Sequence, residues 1–215
     1  MKTIIEVGAN SGEDSLKYLS EGNVFLYAFE PVPYLGDRLT NLLNGAGITS
    51  YKLIRSAVTD TDGTATFHLS GTELAHNFAC SSLHQFADDI HQQWRGRPDF
   101  VHTNALEVPT VRLDTFIESE GLTEIDYLHI DAQGNDFTVL KSLGDKAGIV
   151  KAGKCEAANK VALYKGVDNS VYSIIKWLEE NGFRIKYINN HFGNPITIED
   201  LPNSTEEVDV NFERI

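Results

Sequence analysis

The sequence predicts an α/β protein built on a parallel sheet. Three observations carry that prediction. Short apolar runs alternate with stretches of helical period. A glycine-marked turn joins the first strand to the first helix. The run Val24 to Phe29 (VFLYAF) is almost wholly apolar, as expected of a central strand buried on both faces.

The elements follow in order. Lys2 to Val7 is a short apolar run that stops at Gly8. Glu13 to Ser20 reads as a helix with Leu16 and Leu19 inward. After the VFLYAF strand, Pro33 to Leu43 places Leu35, Leu39, Leu42 and Leu43 at helical spacing. Tyr51 to Val58 is a third strand. Strands alternating with helices imply right-handed crossovers.

The rhythm then breaks. Residues 58–69 read as two strands around an Asp62-Gly63 turn. Residues 70–107 have no clear period and hold His76, His84, His91 and His102, with a helix expected at 85–94. So long a stretch inside a compact domain is usually functional, and it reads as a lid inserted over the site. The alternation returns with a strand at 108–113 and a helix at 114–120 capped by Asp114. Strands at 125–131 and 149–156 each end in an acid. Helices fall at 136–143 and 169–181, and the last strands at 183–188 and 208–215.

Composition narrows the classes. The 215 residues suffice for one sizeable core, and the absence of a repeat or linker predicts one domain over 1–215. Hydrophobic residues make up 41% and charged residues 23%, a globular balance rather than a disordered one. The net charge is −13, which argues against nucleic acid and anionic lipid as partners. No apolar run approaches the roughly 20 residues of a membrane span. The first residues lack a basic segment followed by an apolar run, so a cytoplasmic location is expected. Two cysteines, Cys80 and Cys155, make neither a disulfide framework nor a four-cysteine zinc site.

Chemistry concentrates at strand ends. Glu6-Val7-Gly8-Ala9-Asn10-Ser11-Gly12 follows a strand and opens a helix. Its glycines let the backbone turn tightly and approach a ligand. The spacing is not that of a dinucleotide site, and the lysine of a phosphate loop is missing. Acidic Glu6 suits a cationic ligand. A tight turn with no ligand is the alternative. Glu30, in Phe29-Glu30-Pro31, stands 22 positions after Gly8. An acid at about 20 positions is placed to accept hydrogen bonds from a ribose diol. Ser56-Ala57 ends the third strand, beside the second, where backbone groups can meet an adenine edge.

With these segments in view, the chain resembles the FkbM family of S-adenosylmethionine-dependent methyltransferases. EVGANSG, FEP, AVTDTDGTATF, VPTVRLDTFI and IDYLHIDAQGNDFTVLKSL carry the resemblance in order, from about Ile4 to Phe183. It implies a Rossmann-like class I methyltransferase fold, a mostly parallel sheet with an antiparallel last strand, and O-methylation. By motif match, Glu6, Gly8, Asn10, Ser11 and Gly12 surround the methionine part of S-adenosylmethionine. Glu30 holds the ribose hydroxyls, and Ser56 and Ala57 flank the adenine. Ala9, Pro31 and Asp131 complete the expected cofactor contacts. The family commonly has Asp at Glu6 and reads D-x-E-G-x-E where this chain has Asp131-Ala132-Gln133-Gly134-Asn135-Asp136. No helix precedes the first strand, so the lid falls to the 70–107 insertion.

A hydroxyl that attacks a methyl group must lose its proton to a base or be acidified by a metal. Asp131 is the first choice for the base. His129, two residues earlier on the same strand face, is a candidate assistant or a packed structural residue. Glu156 ends the neighbouring strand and joins the catalytic candidates. With Asp131 it offers oxygen ligands for Mg²⁺. Asp136 is either functional or a helix-dipole partner. The serines after Cys80, and Tyr164 with Lys165, are candidate cofactor or acceptor contacts. Trp94-Arg95-Gly96-Arg97 is a local basic spot. The expected activity is methyl transfer to a hydroxyl of a sugar, glycan or small metabolite. The rivals are a nicotinamide oxidoreductase, a nucleic-acid methyltransferase, and a non-catalytic binding module on a degenerate methyltransferase fold.

Overall fold

The structure is a computed structural model that describes residues 1–71, 78–190, 192–204 and 207–215. His76 lies outside these described residues. Eight strands of the described chain form one sheet in the order β10-β9-β11-β8-β7-β1-β2-β3. These strands are β1 (Lys2–Val7), β2 (Val24–Phe29), β3 (Tyr51–Ile54), β7 (Tyr127–Ile130), β8 (Ala152–Ala158), β9 (Phe183–Asn190), β10 (Pro195–Ile196) and β11 (Glu207–Arg214). The run β3-β2-β1-β7-β8 is parallel, and β11 inserts antiparallel between β8 and β9. The mostly parallel sheet with an antiparallel last strand is therefore present.

Two cores flank the sheet, because successive strand residues point to opposite faces. Ile4, Leu26 and Ala28 pack with Leu39 and Leu43 beneath α1 (Glu13–Ser20) and α2 (Pro33–Gly45). Their neighbours Ile5, Val7 and Phe29 pack on the other face with residues of α4 (Leu113–Glu120), α5 (Asp136–Lys141) and α6 (Val171–Glu180). Burying an apolar side chain of this size is worth about 1.5–3 kcal/mol, so this two-sided pattern sets the position of β1 and β2. Their carboxyl ends, where Gly8 and Glu30 lie, are placed with them.

The middle of the chain departs from expectation in three ways. The third strand ends at Ile54, and Ala57 and Val58 form a separate short strand, β4. The residues around Asp62-Gly63 do not make a hairpin. Strand β6 (His102–Val111) lies between β4 and β5 (Gly63–Ser70), giving a small sheet of order β4-β6-β5. Asp62 is a cap for later chain instead, accepting the Arg112 N–H at 2.7 Å and the Thr115 hydroxyl at 2.9 Å. The unpatterned stretch also ends sooner than its sequence suggested, because residues 102–107 belong to β6.

Within that stretch the expected helix shrinks to α3 (Ile90–Gln93). Asp114 is not the cap of α4, which begins at Leu113; it pairs with Arg112 at 2.5 Å from the first turn. The segment is tied down by bridges from His68 to Ser82 and from Phe86 to Tyr164, and by stacking of Phe86 on His102 with ring centroids 4.4 Å apart.

Candidate active site

Two lobes of one cleft open at the carboxyl ends of β1, β2 and β7. The first, about 780 Å³ of empty space, is lined by Gly8, Asn10, Glu30, Pro31, Ser56 and Ala57, with apolar Phe29, Val32, Leu35, Phe67, Phe78 and Leu83. The second is polar, lined by Glu6, Ala9, Ser11, Glu13, Asp14 and His129. Among the described residues, Arg38 is the only lysine or arginine lining it. Gly8, Asn10, Leu35, Phe78, Ala79 and Asp131 border both lobes. The residues expected around a cofactor are thus assembled, apart from Gly12, which packs beneath the turn on Leu39.

Glu30 is the anchor of the first lobe. The residue is only 4% exposed. One oxygen accepts the Val32 N–H at 2.8 Å and the other accepts the Asn10 N–H at 2.8 Å. Burial pushes this carboxyl up to about 7, against the pull of those two N–H donors. Each carboxylate oxygen has a further lone pair, so a hydroxyl donor in the cleft still has an acceptor. Gly8 and Ala9 both donate their N–H to the Phe29 carbonyl, at 3.0 and 2.9 Å.

The turn is tight enough to demand glycine. Gly8 has φ +87, and a Cβ there would stand 1.9 Å from the Asp131 carbonyl oxygen. Asn10 has φ +49 and Gln133 φ +50. Left-handed conformations in residues with a side chain concentrate at functional sites, because surrounding structure must hold them.

Asp131 follows β7 directly, and its carboxylate is half-buried between the two lobes. Gln133 Nε2 donates to Asp131 Oδ1 at 2.6 Å and to Glu156 Oε2 at 3.3 Å. Glu156 is held well above the usual carboxylate range, by burial first and by Asp131 next. Asp131 meets Glu156 through this amide; Glu156 lies inside β8, which runs on to Ala158, and not at the strand end its sequence suggested.

Other predicted residues are held by contacts within the fold. His129 is buried and on the same face as Glu6; its Nδ1 lies 3.2 Å from the Tyr18 hydroxyl and 3.7 Å from Glu6. Glu6 also accepts the Ser15 hydroxyl. Glu6, Asp14 and His129 bring one potential ligand atom each within 4.8 Å of one another, a grouping the sequence did not suggest. Asp136 is fully buried and accepts the Ala132 N–H at 2.8 Å, the Gly134 N–H at 3.0 Å and the Asn169 amide at 3.1 Å. It builds the loop after β7. Burial, with Asp131 adding to it, pushes Asp136 up to about 7.

Several expected contacts change role. Ser81 lines the first lobe, while the Ser82 hydroxyl donates to the Gln133 carbonyl at 2.6 Å. Tyr164 is buried and supports Gln133, its hydroxyl 2.9 Å from Gln133 Oε1. Lys165 pairs with Asp88 at 2.7 Å, and Arg97 pairs with Asp99 and lies over the Phe100 ring. Neither is the free cation an anionic acceptor would need. Phe78, Phe67, Leu83 and Asn135 were missed. Phe78 and Leu83 come from the stretch without period, Phe67 from β5 and Asn135 from a helix cap, and only proximity in the fold selects them.

A cleft at the carboxyl ends of a parallel sheet, at the glycine turn and the acid after β2, is the architecture of a class I methyltransferase. Solved structures agree on the fold. A putative rRNA methylase from Clostridium thermocellum aligns with TM-score 0.54 at 11% identity, covering 100% of this chain and 89% of that one. A putative methyltransferase from Streptococcus mutans, SMU.1697c in complex with S-adenosylhomocysteine, aligns at 0.52 and 12%, covering 100% and 89%. The model of the FkbM methyltransferase domain matches residues 6–185, and this chain belongs to that family. The 2-O-methyltransferase NoeI of Sinorhizobium fredii is 29% identical over 140 residues, which are 64% of this chain and 55% of NoeI. The match thus spans about half of that relative's length.

Proposed function

We propose that this protein is an S-adenosylmethionine-dependent O-methyltransferase acting on a hydroxyl of a sugar, glycan or small metabolite. The chain is read as one methyltransferase unit, with residues from about 70 to the start of β6 over the cleft. The observation that carries the reading is the buried Glu30 carboxyl, fixed by two N–H donors at the mouth of an apolar slot. A buried acid with lone pairs facing the cleft fits a ribose diol. The slot beside it, between Phe67, Leu83 and Ala57, fits a purine face. Arg38 offers the methionine carboxylate a cation.

Bound there, the cofactor supplies an electrophilic methyl group on a sulfonium. The chain's own residues do the rest. Holding the acceptor oxygen in line and close removes much of the entropic barrier. Asp131 takes the hydroxyl proton as the new C–O bond forms, the C–S bond breaks and the sulfur keeps the electron pair. Apolar Phe78 and Leu35 limit water at the junction of the lobes. A Mg²⁺ between Asp131 and Glu156 does not fit, because the donor nitrogen of Gln133 occupies that position. The acceptor is a small molecule or glycan rather than nucleic acid, since a chain of net charge −13 repels a phosphate backbone. NoeI, named for 2-O-methylation, supports the choice of oxygen.

Calorimetry with S-adenosylmethionine and S-adenosylhomocysteine tests the reading. Micromolar binding, weakened about 10–100-fold in Glu30→Ala, is expected from loss of hydrogen bonds to a charged group. Failure of well-folded protein to bind either ligand overturns the enzyme reading in favour of a binding module.

A further inference from the structure

We propose that Gln133 is a positioning residue that lets Asp131 and Glu156 share one cleft without a cation between them. The inference rests on the assignment of Asp131 as the base. Two carboxylates this close repel, and such pairs usually share a proton or hold a metal. Here a neutral amide stands between them, its nitrogen 2.6 Å from Asp131 Oδ1 and 3.3 Å from Glu156 Oε2.

The orientation of the amide follows from its partners. The Tyr164 hydroxyl lies 2.9 Å from Oε1 and 3.0 Å from the Cys80 carbonyl, so its one proton serves either acceptor, while the Asp131 carboxylate 2.6 Å from the amide requires the nitrogen on its side. The reversed amide would point its oxygen at two acids. The group is also held from three directions. Tyr164 comes from the loop after β8, the Ser82 hydroxyl takes the Gln133 carbonyl from the covering segment, and the backbone is left-handed at φ +50. Gly134 makes room, since a Cβ there would stand 2.3 Å from the Tyr164 ring. A residue that only filled space would not need this much fixation.

The consequence is specific. With Oδ1 occupied by Gln133, Asp131 keeps Oδ2 for the acceptor proton. The groups facing the pair are the carboxyls of Asp136 from α5 and of Glu207 and Asp209 from β11, the Tyr164 hydroxyl, the Cys155 thiol of β8, and His129 of β7, which lines the second lobe with Asp131; Lys154 lies 3.6 Å from Asp209. Burial and these acids already favour a proton on Glu156, and without the Gln133 amide the group would also favour a divalent ion.

Two variants test this, and neither measurement needs the acceptor. Each variant must first bind S-adenosylhomocysteine as the wild type does, which reports the fold and cofactor site. Mn²⁺ is then titrated by calorimetry into wild type, Gln133→Glu and the double variant Gln133→Glu/Glu156→Gln. Expected is one Mn²⁺ per chain in Gln133→Glu, at least about 10-fold tighter than in wild type, because a third carboxylate completes an oxygen site. The double variant should return to the wild-type isotherm. An unchanged isotherm in Gln133→Glu, or a gain that survives Glu156→Gln, overturns the proposal.

The second measurement is the ratio of S-adenosylmethionine to S-adenosylhomocysteine affinity against pH. The two ligands differ by a methyl group and a positive charge, so the ratio reports the anionic charge beside the sulfur. In Gln133→Ala its midpoint should move up by about one pH unit, as loss of a donor further disfavours the charged form of Glu156. An unmoved midpoint overturns the proposal even if Gln133→Glu does not fold. If the wild type binds neither ligand, it is the methyltransferase reading that fails, and the Mn²⁺ titration still decides the role of Gln133 between the acids.

Discussion

The Glu30 carboxylate accepts the Asn10 backbone N–H at 2.8 Å, and this bond ties the end of β2 to the glycine turn after β1. One residue thus fixes both walls of the first lobe. Glu30→Gln should weaken S-adenosylhomocysteine binding about 10–100-fold. A Gln side chain has one acceptor oxygen for two N–H donors, so its amide nitrogen must face one of them. Calorimetry with wild-type affinity in Glu30→Gln would show that the turn holds itself.

Glu30 should also give stability and affinity opposite pH dependences. Its carboxyl sits near 7 in the fold against an ordinary value of 4.5. A raised carboxyl binds more protons folded than unfolded, so its contribution is full below the ordinary value and is lost as pH rises through about 7. Buried Asp136, also near 7, acts in the same direction. Urea midpoints should fall from about pH 5 to about pH 8, less steeply in Glu30→Ala. Affinity for S-adenosylhomocysteine should rise across the same range, as the ionised acid accepts better. Parallel trends would refute this account.

Asp131→Asn should lower methyl transfer about 100- to 10,000-fold while leaving S-adenosylhomocysteine affinity within a few-fold of wild type. Turnover on an acceptor found in a panel of hydroxyl compounds, compared with calorimetry, separates the two effects. Equal loss of both would make Asp131 a binding residue.

Gly8→Ala should cost about 3 kcal/mol or more, combining left-handed strain with a steric clash. Its Cβ would meet a backbone oxygen of Asp131, which cannot swing aside. Gly134→Ala, strained likewise at φ +86, meets the Tyr164 ring first rather than backbone and should cost less. Denaturant unfolding ranks them, and the reverse order would show that β1 and β7 can separate.

Asp136→Asn should destabilise the protein by about 2–3 kcal/mol, because two backbone N–H groups and the Asn169 amide depend on the carboxyl. Unchanged stability would return Asp136 to the list of functional acids.

Much of this was legible beforehand. The boundaries of β1, α1 and β2 follow from apolar period and glycine, and they coincide with the structure. The family pattern put Glu6, Gly8, Asn10, Glu30, Ser56, Ala57 and Asp131 on a list, and the fold brings them to one cleft. Asp62-Gly63 misled, because a turn signal does not say which strand will pair. A strand some forty residues later took the place between β4 and β5.

Local order was largely in the sequence by itself: the strands and helices from β1 to α2, the strand before Asp131, and the glycine turn after β1. These depend on neighbours along the chain, within reach of period and backbone sterics. What only the tertiary structure decided is which polar groups meet. Gln133 looked like the loss of a carboxylate and proved to be the link between Asp131 and Glu156. Asp136, Tyr164 and Ser82, candidates from the sequence, hydrogen-bond to Gln133 or to the residues on either side of it. Hydrogen bonds of about 3 Å between residues tens of positions apart leave no period behind, so side-chain roles appear only when the chain has closed on itself.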